Sequence, residues 1–181
     1  MSTRTLFKLF AIGAVGVMLS VGYTSATCTG TLYTPSADGT TSPGQRMGGD
    51  YGDTASSNDT REAFNETVSA GNSRLIHTWT FNNVPAGSAK LIREGYRLGS
   101  ADNDNFKFQV GYDYNDGNGI QMIFGSFCTI SSETEASLEC SLGTTTTGTA
   151  TWSVDLRDTV TTGNLTTLTA VAIDYIAICI E

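Results

Sequence analysis

The chain has 181 residues, with 10 Lys and Arg against 18 Asp and Glu, for a net charge of −8. That length allows one domain with a substantial core. A surface this acidic repels nucleic acid and anionic membranes, so neither is expected as a partner; it suits cations, but solubility alone accounts for the acidity.

Arg4 and Lys8 precede an apolar run from Leu9 to about Val21, and Thr24 and Ala26 stand at the −3 and −1 positions of a cleavage site before Thr27. Residues 1–26 are therefore expected to be a secretory signal peptide, its apolar run too short for a comfortable transmembrane helix. A retained anchor or a pilin-type leader is the alternative. Cleavage would remove two basic residues and no acid, which deepens the net charge to about −10. The mature chain is then expected outside the cell or at its surface, with no membrane contact.

The mature chain keeps Cys28, Cys128, Cys140 and Cys179. An even count in an exported chain suggests two disulfides, in one of three pairings. Cys128 and Cys140 flank a polar loop and fit a hairpin staple. Cys28 would then tie the N-terminal segment to the last strand through Cys179. Zinc is not expected on these cysteines, because no C-x-x-C spacing occurs and His77 is the only histidine.

Residues 27–59 are rich in Thr, Ser, Gly and Asp and read as an extended or loop-rich segment, with Thr31-Leu32-Tyr33 as a short first strand. The domain proper is expected over residues 60–181. Thr60 to Val68 fits a short helix or an edge strand, and the β context favours the strand. Arg74 to Phe81 alternates, with Leu75, His77, Trp79 and Phe81 on one face. Pro85-Ala86-Gly87 reads as a turn before a separate strand, Ala89 to Leu98. Strands Phe106–Tyr112, Ile120–Phe127, Ser137–Leu142 and Ala150–Leu156 follow, the last after a threonine-rich tract. Leu168 to Glu181 is apolar on both faces of a fixed two-residue period, broken by one charge, Asp174, and reads as a central strand. Eight or nine strands at hairpin spacing, without a helix beyond the leader, predict an all-β antiparallel β-sandwich.

No nucleophile elbow, Walker loop, dinucleotide fingerprint or H-E-x-x-H occurs, so no catalytic residue is assigned. His77 is expected to be half-buried with its ring nitrogens satisfied. A glycosidase pair drawn from Glu62, Glu66 and Glu94 is indistinguishable in sequence from surface charge. The first metal candidate is the loop Asp102-Asn103-Asp104-Asn105, whose alternating carboxylate and amide oxygens suit calcium. Asp50 with Asp53, and Asp113 with Asp116, are weaker candidates. Asp174, in an apolar strand, must be paired, metal-bound or at a sheet end. Arg157 is a neighbour in the hairpin, though the register does not force a bridge. Tyr112 and Tyr114, beside an Asp/Asn/Gly turn, are the expected sugar-stacking rings. Trp152 shares a face with Ala150, Val154 and Leu156 and is expected in the core. Asn58, Asn65 and Asn164 each open an N-x-T sequon.

The segments HTWTFNNVPAGSAKLIREGYR, DNFKFQVGYD and VDLRDTVTTGNLTTLTAVAIDYIAI, in that order, resemble a secreted β-sandwich domain of bacterial and archaeal extracellular proteins. The closing strand is similar to that of jelly-roll carbohydrate-binding modules. The resemblance implies a jelly roll and gives Asp174 a share in a structural calcium site. DTVTTGN, YDYNDGNG and the cysteines depart from the family pattern. The expectation is a non-catalytic secreted module, stabilised by calcium, that binds glycan or another extracellular surface component. Alternatives are a self-assembling subunit of a filament, matrix or surface layer built by strand donation, and a small secreted hydrolase.

Overall fold

The computed structural model describes residues 27–69, 71–98, 105–113, 120–123, 128–159 and 168–181. The expected signal peptide lies outside these residues, as do Asp102, Asn103, Asp104, Tyr114, Asp116 and Asn164. Among the described residues, no helix is long and apolar enough to cross a membrane.

The short strands are β1 (Thr31–Tyr33), β2 (Ala37–Thr41), β3 (Gln45–Gly48), β4 (Glu62–Asn65), β5 (Thr67–Ser69) and β6 (Asn72–Arg74). They precede β7 (Ile76–Leu98), β8 (Phe106–Asp113), β9 (Gln121–Ile123), β10 (Thr129–Ile130), β11 (Ala136–Asp158) and β12 (Ala170–Ile180). One 3-10 turn spans Asp53–Ala55. Among the described residues all pairings are antiparallel, and the fold is the antiparallel β-sandwich that the alternation predicts. The strands outnumber the expected eight or nine, partly because the 27–59 segment contributes three of its own. β1 pairs with β12, β2 with β7 and β3 with β4.

β7 and β11 are 23 residues long each and pair from Ala136↔Gly95 to Arg157↔Ile76. The expected turn at Pro85-Ala86-Gly87 is therefore not a turn, and the strands expected at 137–142 and 150–156 are one. The register explains the misreading. β11 slips between Ser141 and Gly143, between Thr145 and Thr149, and between Ala150 and Trp152. Gly143 and Gly148 stand at φ 87° and 57° within this stretch. Pro85, which has no N–H to give, sits opposite Thr149 at the end of the largest slip. The turn-forming residues thus serve a bulged corner at which both strands pass from one layer to the other.

One layer combines β2, the first half of β7, the second half of β11, and β8 with β9 and β10 on its far edge. The other combines the first half of β11, the second half of β7, β12, β4 and β3, with β1 on β12. Trp79, Phe81, Phe108, Val110, Trp152 and Leu156 from the first layer meet Phe64, Leu91, Val171, Ile173, Ile176 and Ile178 from the second in a single core.

β12 corrects the fixed two-residue reading. Ile173 pairs with Gly95 and Tyr175 with Glu94, so Asp174 is the extra residue of a bulge. Before the bulge Val171 and Ile173 face the main core; after it Ile176, Ile178 and Ile180 do. Ala177 and Cys179 turn to a smaller cluster with Ile92, Cys28 and Tyr175. Gly95 is needed opposite the bulge. A Cβ there would lie 2.5 Å from the Ala172 carbonyl oxygen and 3.2 Å from the Ile173 Cα, both backbone atoms. Gly95→Ala is expected to cost about 1–3 kcal/mol in thermal unfolding, the usual penalty of overpacking. An unchanged melting temperature would mean that the bulge yields freely.

The disulfides are Cys28–Cys179 and Cys128–Cys140, with Cα separations of 5.7 Å and 5.8 Å. The first ties the N-terminal segment to the last strand, as expected. The second has the expected partners but is not a hairpin staple. Cys128 leads into β10, which pairs with β8, whereas Cys140 sits in β11 opposite Leu91. The bridge therefore joins an edge of one layer to a strand of the other.

Candidate functional site

A groove of about 180 Å³ runs over the outer face of the first layer, lined by Thr80, Tyr112, Asp113, Ile120, Thr151, Trp152 and Ser153. Its geometry follows from strand alternation. Trp79, Phe81, Trp152 and Val154 are core residues, so their neighbours Thr80, Thr151 and Ser153 face out. Ser153 pairs with Thr80 on one side and with Gly111 on the other, and Thr151 pairs with Asp113. A serine beside a glycine leaves the middle of the sheet face low. Asp113 and the 61% exposed Ile120 stand at its edge. Farther along the same outward row, Thr78 donates to Asp155 Oδ1 at 2.7 Å and Arg157 pairs with Asp155 Oδ2 at 2.7 Å.

Tyr112 is half-buried and packs against the core, its ring 5.5 Å from that of Trp152 and tilted by 33°. Trp152 is 1% exposed, in the core as expected, and its Nε1 has no hydrogen-bond partner. The aromatic residues of these strands are the ones whose chemistry points to sugar stacking. The small polar residues between them carry the groove, and they are visible in the sequence as the other half of the same alternation.

A second constellation surrounds the bulge. Oxygens of Glu94, Glu135 and Asp174 lie within 4.8 Å of one another. Asp174 is 2% exposed, and its Oδ1 has no hydrogen-bond partner. Burial, then the charges of Glu94 and Glu135, push its carboxyl above the usual carboxylate range; Arg61 and the Asn58 backbone N–H pull it back only in part. Ser57 donates to Glu94 Oε2 at 2.6 Å, and Arg61 makes two bonds to Glu135 at 3.0 and 3.2 Å. Arg61 also lies over the Tyr96 ring at 5.4 Å. Glu94 and Glu135 converge on Asp174, whose buried Oδ1 is unpaired, and the three carboxylates form a hard, all-oxygen donor set of the type calcium takes, short of its full six to eight oxygens. Arg157 is engaged with Asp155 instead of Asp174.

The other sequence candidates fall elsewhere. Asp50 Oδ1 accepts from the Gly52 N–H at 2.8 Å and Asp53 Oδ2 from the Asp50 N–H at 3.0 Å, so these carboxylates cap their own turn. Glu62 and Glu66 are fully buried: Trp79 Nε1 donates to Glu62 at 2.8 Å, and the Thr169 N–H donates to Glu66 at 2.8 Å. His77 is also fully buried, not half-buried, and only its Nδ1 has a hydrogen-bond partner, Thr41 Oγ1 at 2.9 Å.

No protein-family model matches the chain, and no curated protein does. Several solved structures are similar to it, and carbohydrate-binding modules are prominent among them. TmCBM61 in complex with β-1,4-galactotriose shares 11% identity at a TM-score of 0.42, covering 78% of this chain and 86% of that one. The module CBM6cm-2 from Cellvibrio mixtus lichenase 5A, in complex with cellotriose, shares 10% at 0.40, over 83% and 97%. The enzymatically active domain of bacteriophage CBA120 tailspike protein 4 shares 12% at 0.42, over 83% of this chain but 19% of that one. These likenesses concern the layout of strands.

Proposed function

We propose that this protein is a non-catalytic extracellular module that binds a neutral glycan in the outer groove and is stabilised by calcium at Glu94, Glu135 and Asp174. The observation that carries the reading is the groove itself. Hydroxyls of Thr80, Thr151 and Ser153 and the carboxylate of Asp113 match the hydroxyls of a sugar, while the exposed Ile120 offers apolar contact to its ring. A net charge of −8 favours neutral over anionic chains. Two disulfides suit an oxidising, extracellular compartment. The strand-donation reading requires a segment able to leave its own sheet, and β1, β2 and β3 are all paired within the chain.

The test is glycan-array screening followed by calorimetry. Ser153→Arg should fill the groove, and Asp113→Ala should remove its charged acceptor. Each is expected to weaken binding at least about tenfold, or 1.4 kcal/mol, while melting temperature holds. Binding that both variants retain in full would place the ligand elsewhere.

A further inference from the structure

A third constellation, used by neither the groove nor the calcium cluster, includes Glu62, which pairs with Ile173 next to the bulge. Asp38 of β2, Glu62 of β4 and His77 of β7 each direct one ligand atom to a common point, and these atoms lie within 4.8 Å of one another. His77 Nε2 is 3.5 Å from Glu62 Oε1 and 3.7 Å from Asp38 Oδ1. All three atoms are buried; Asp38 Oδ1 and His77 Nε2 have no hydrogen-bond partner, while Glu62 Oε1 meets only the Arg46 guanidinium. Their other polar atoms are all occupied: Thr41 on His77 Nδ1, Trp79 on Glu62 Oε2 and Arg46 on Asp38 Oδ2. The fold thus holds the outer atoms of each group and leaves the inner ones facing each other.

We propose that Asp38, Glu62 and His77 form a binding site for one divalent transition-metal ion of the zinc type, with solvent as the fourth ligand. Imidazole nitrogen with carboxylate oxygen is a zinc donor set, and tetrahedral bonds of about 2.0–2.2 Å place neighbouring donor atoms about 3.3–3.6 Å apart. Of the two distances from His77 Nε2, the 3.5 Å to Glu62 falls within that edge and the 3.7 Å to Asp38 lies just beyond it. Thr41 supplies the outer hydrogen bond; with the ring in the Nδ1–H tautomer, Thr41 Oγ1 accepts it and the Nε2 lone pair points inward, while the Trp79 indole N–H fixes the far oxygen of Glu62. The ring cannot turn away: it lies 4.2 Å from the Phe64 ring and edge-on to Trp79 at 4.5 Å.

Arg46 explains how the acids are tolerated without a metal. Its Nη2 lies 2.6 Å from Asp38 Oδ2 and 2.8 Å from Glu62 Oε1, so a guanidinium neutralises the pair. Its side chain is 30% exposed and that of Asp38 19%, which gives an ion a way in and Arg46 a way out. Zinc would keep the Asp38 Oδ2 contact of Arg46 and replace it at Glu62 Oε1. The bound ion would join β2, β4 and β7, and β3 through Arg46, in one polar knot.

The experiment uses the purified, oxidised protein stripped of metal by chelator and titrated with cobalt(II), then zinc. The expected result is one ion per chain, with the visible absorption of four-coordinate cobalt and a paramagnetically shifted imidazole signal. As the only histidine, His77 assigns that signal without ambiguity. Asp38→Asn, at the exposed rim, should fold normally and bind zinc at least about tenfold more weakly. Arg46→Met should bind it more tightly, since the competing cation is gone. Excess calcium, bound by the all-oxygen cluster, should leave the cobalt spectrum unchanged. An absent cobalt spectrum, an unshifted imidazole, or undiminished zinc affinity in a folded Asp38→Asn protein would each overturn the site.

Discussion

Changing Cys28 and Cys179 together to serine is expected to lower the stability of the domain by about 5 kcal/mol, the loop-closure entropy of a bridge between residues 151 apart. For a chain of this size that is a fall of about 10–20 °C in melting temperature. The Cys128–Cys140 bridge closes a loop of only 12 residues, so the matching double change should cost about 3 kcal/mol. The order of the two effects is the informative part. Cys179 is fully buried beside Ile92 and Ala177, and Cys28 packs against the same cluster. Serines there add a packing loss to the entropic one. Chemical denaturation of both variants decides the matter. A Cys28/Cys179 variant that loses less than about 2 kcal/mol would mean that strand pairing alone holds the N-terminal segment.

Chelation of calcium is expected to lower the melting temperature by about 5–10 °C at calcium concentrations near a hundred times its dissociation constant, where linkage gives about 2.7 kcal/mol. The sign of Asp174→Asn should then depend on the metal. With calcium present, the change removes a ligand and destabilises. With chelator present, it removes a buried charge crowded by Glu94 and Glu135 and stabilises. The variant should accordingly melt at the same temperature with and without calcium. A parent protein indifferent to chelator would sink the calcium reading. A crossover with Asp174→Asn would tie the response to the bulge and not to an acidic loop elsewhere.

Much of the fold is legible in the alternation of single strands. Leu75, His77, Trp79 and Phe81 share a face in the sequence and in the core, as do Phe106, Phe108 and Val110, and Trp152, Val154 and Leu156. What escaped reading depends on contacts between strands. Pro85-Ala86-Gly87 has turn chemistry, yet β11 runs opposite it and converts the turn into a corner. Period counting along β12 put Val171 and Ile176 on opposite faces, and only the register against Gly95 and Glu94 shows that Asp174 shifts the phase. The lone charge was itself the signal: a buried acid in an apolar run marks the place where pairing breaks.

The constellations were less legible, for a related reason. Glu94, Glu135 and Asp174 come from β7, the approach to β11, and β12; Asp38, Glu62 and His77 come from β2, β4 and β7. Spacing rules recognise ligands carried on one loop or one helix. Here sheet register brings together residues far apart in the chain, and a lone histidine reads as core until its neighbours across the sheet are known.

The Cys28–Cys179 bridge has a mechanical consequence. β1 and β12 are antiparallel neighbours, and Thr31 faces Ile180 at the same end as the disulfide. Tension applied at that end would unzip the pair one hydrogen bond at a time, the weakest direction in which a sheet can be pulled. The sulfur–sulfur bond takes that tension before it reaches the first hydrogen bond. A pull entering at Cys28 and leaving at Cys179 crosses one covalent link and bypasses every strand between them. While oxidised, the domain is inextensible along that line; once reduced, the same line becomes the seam along which it opens.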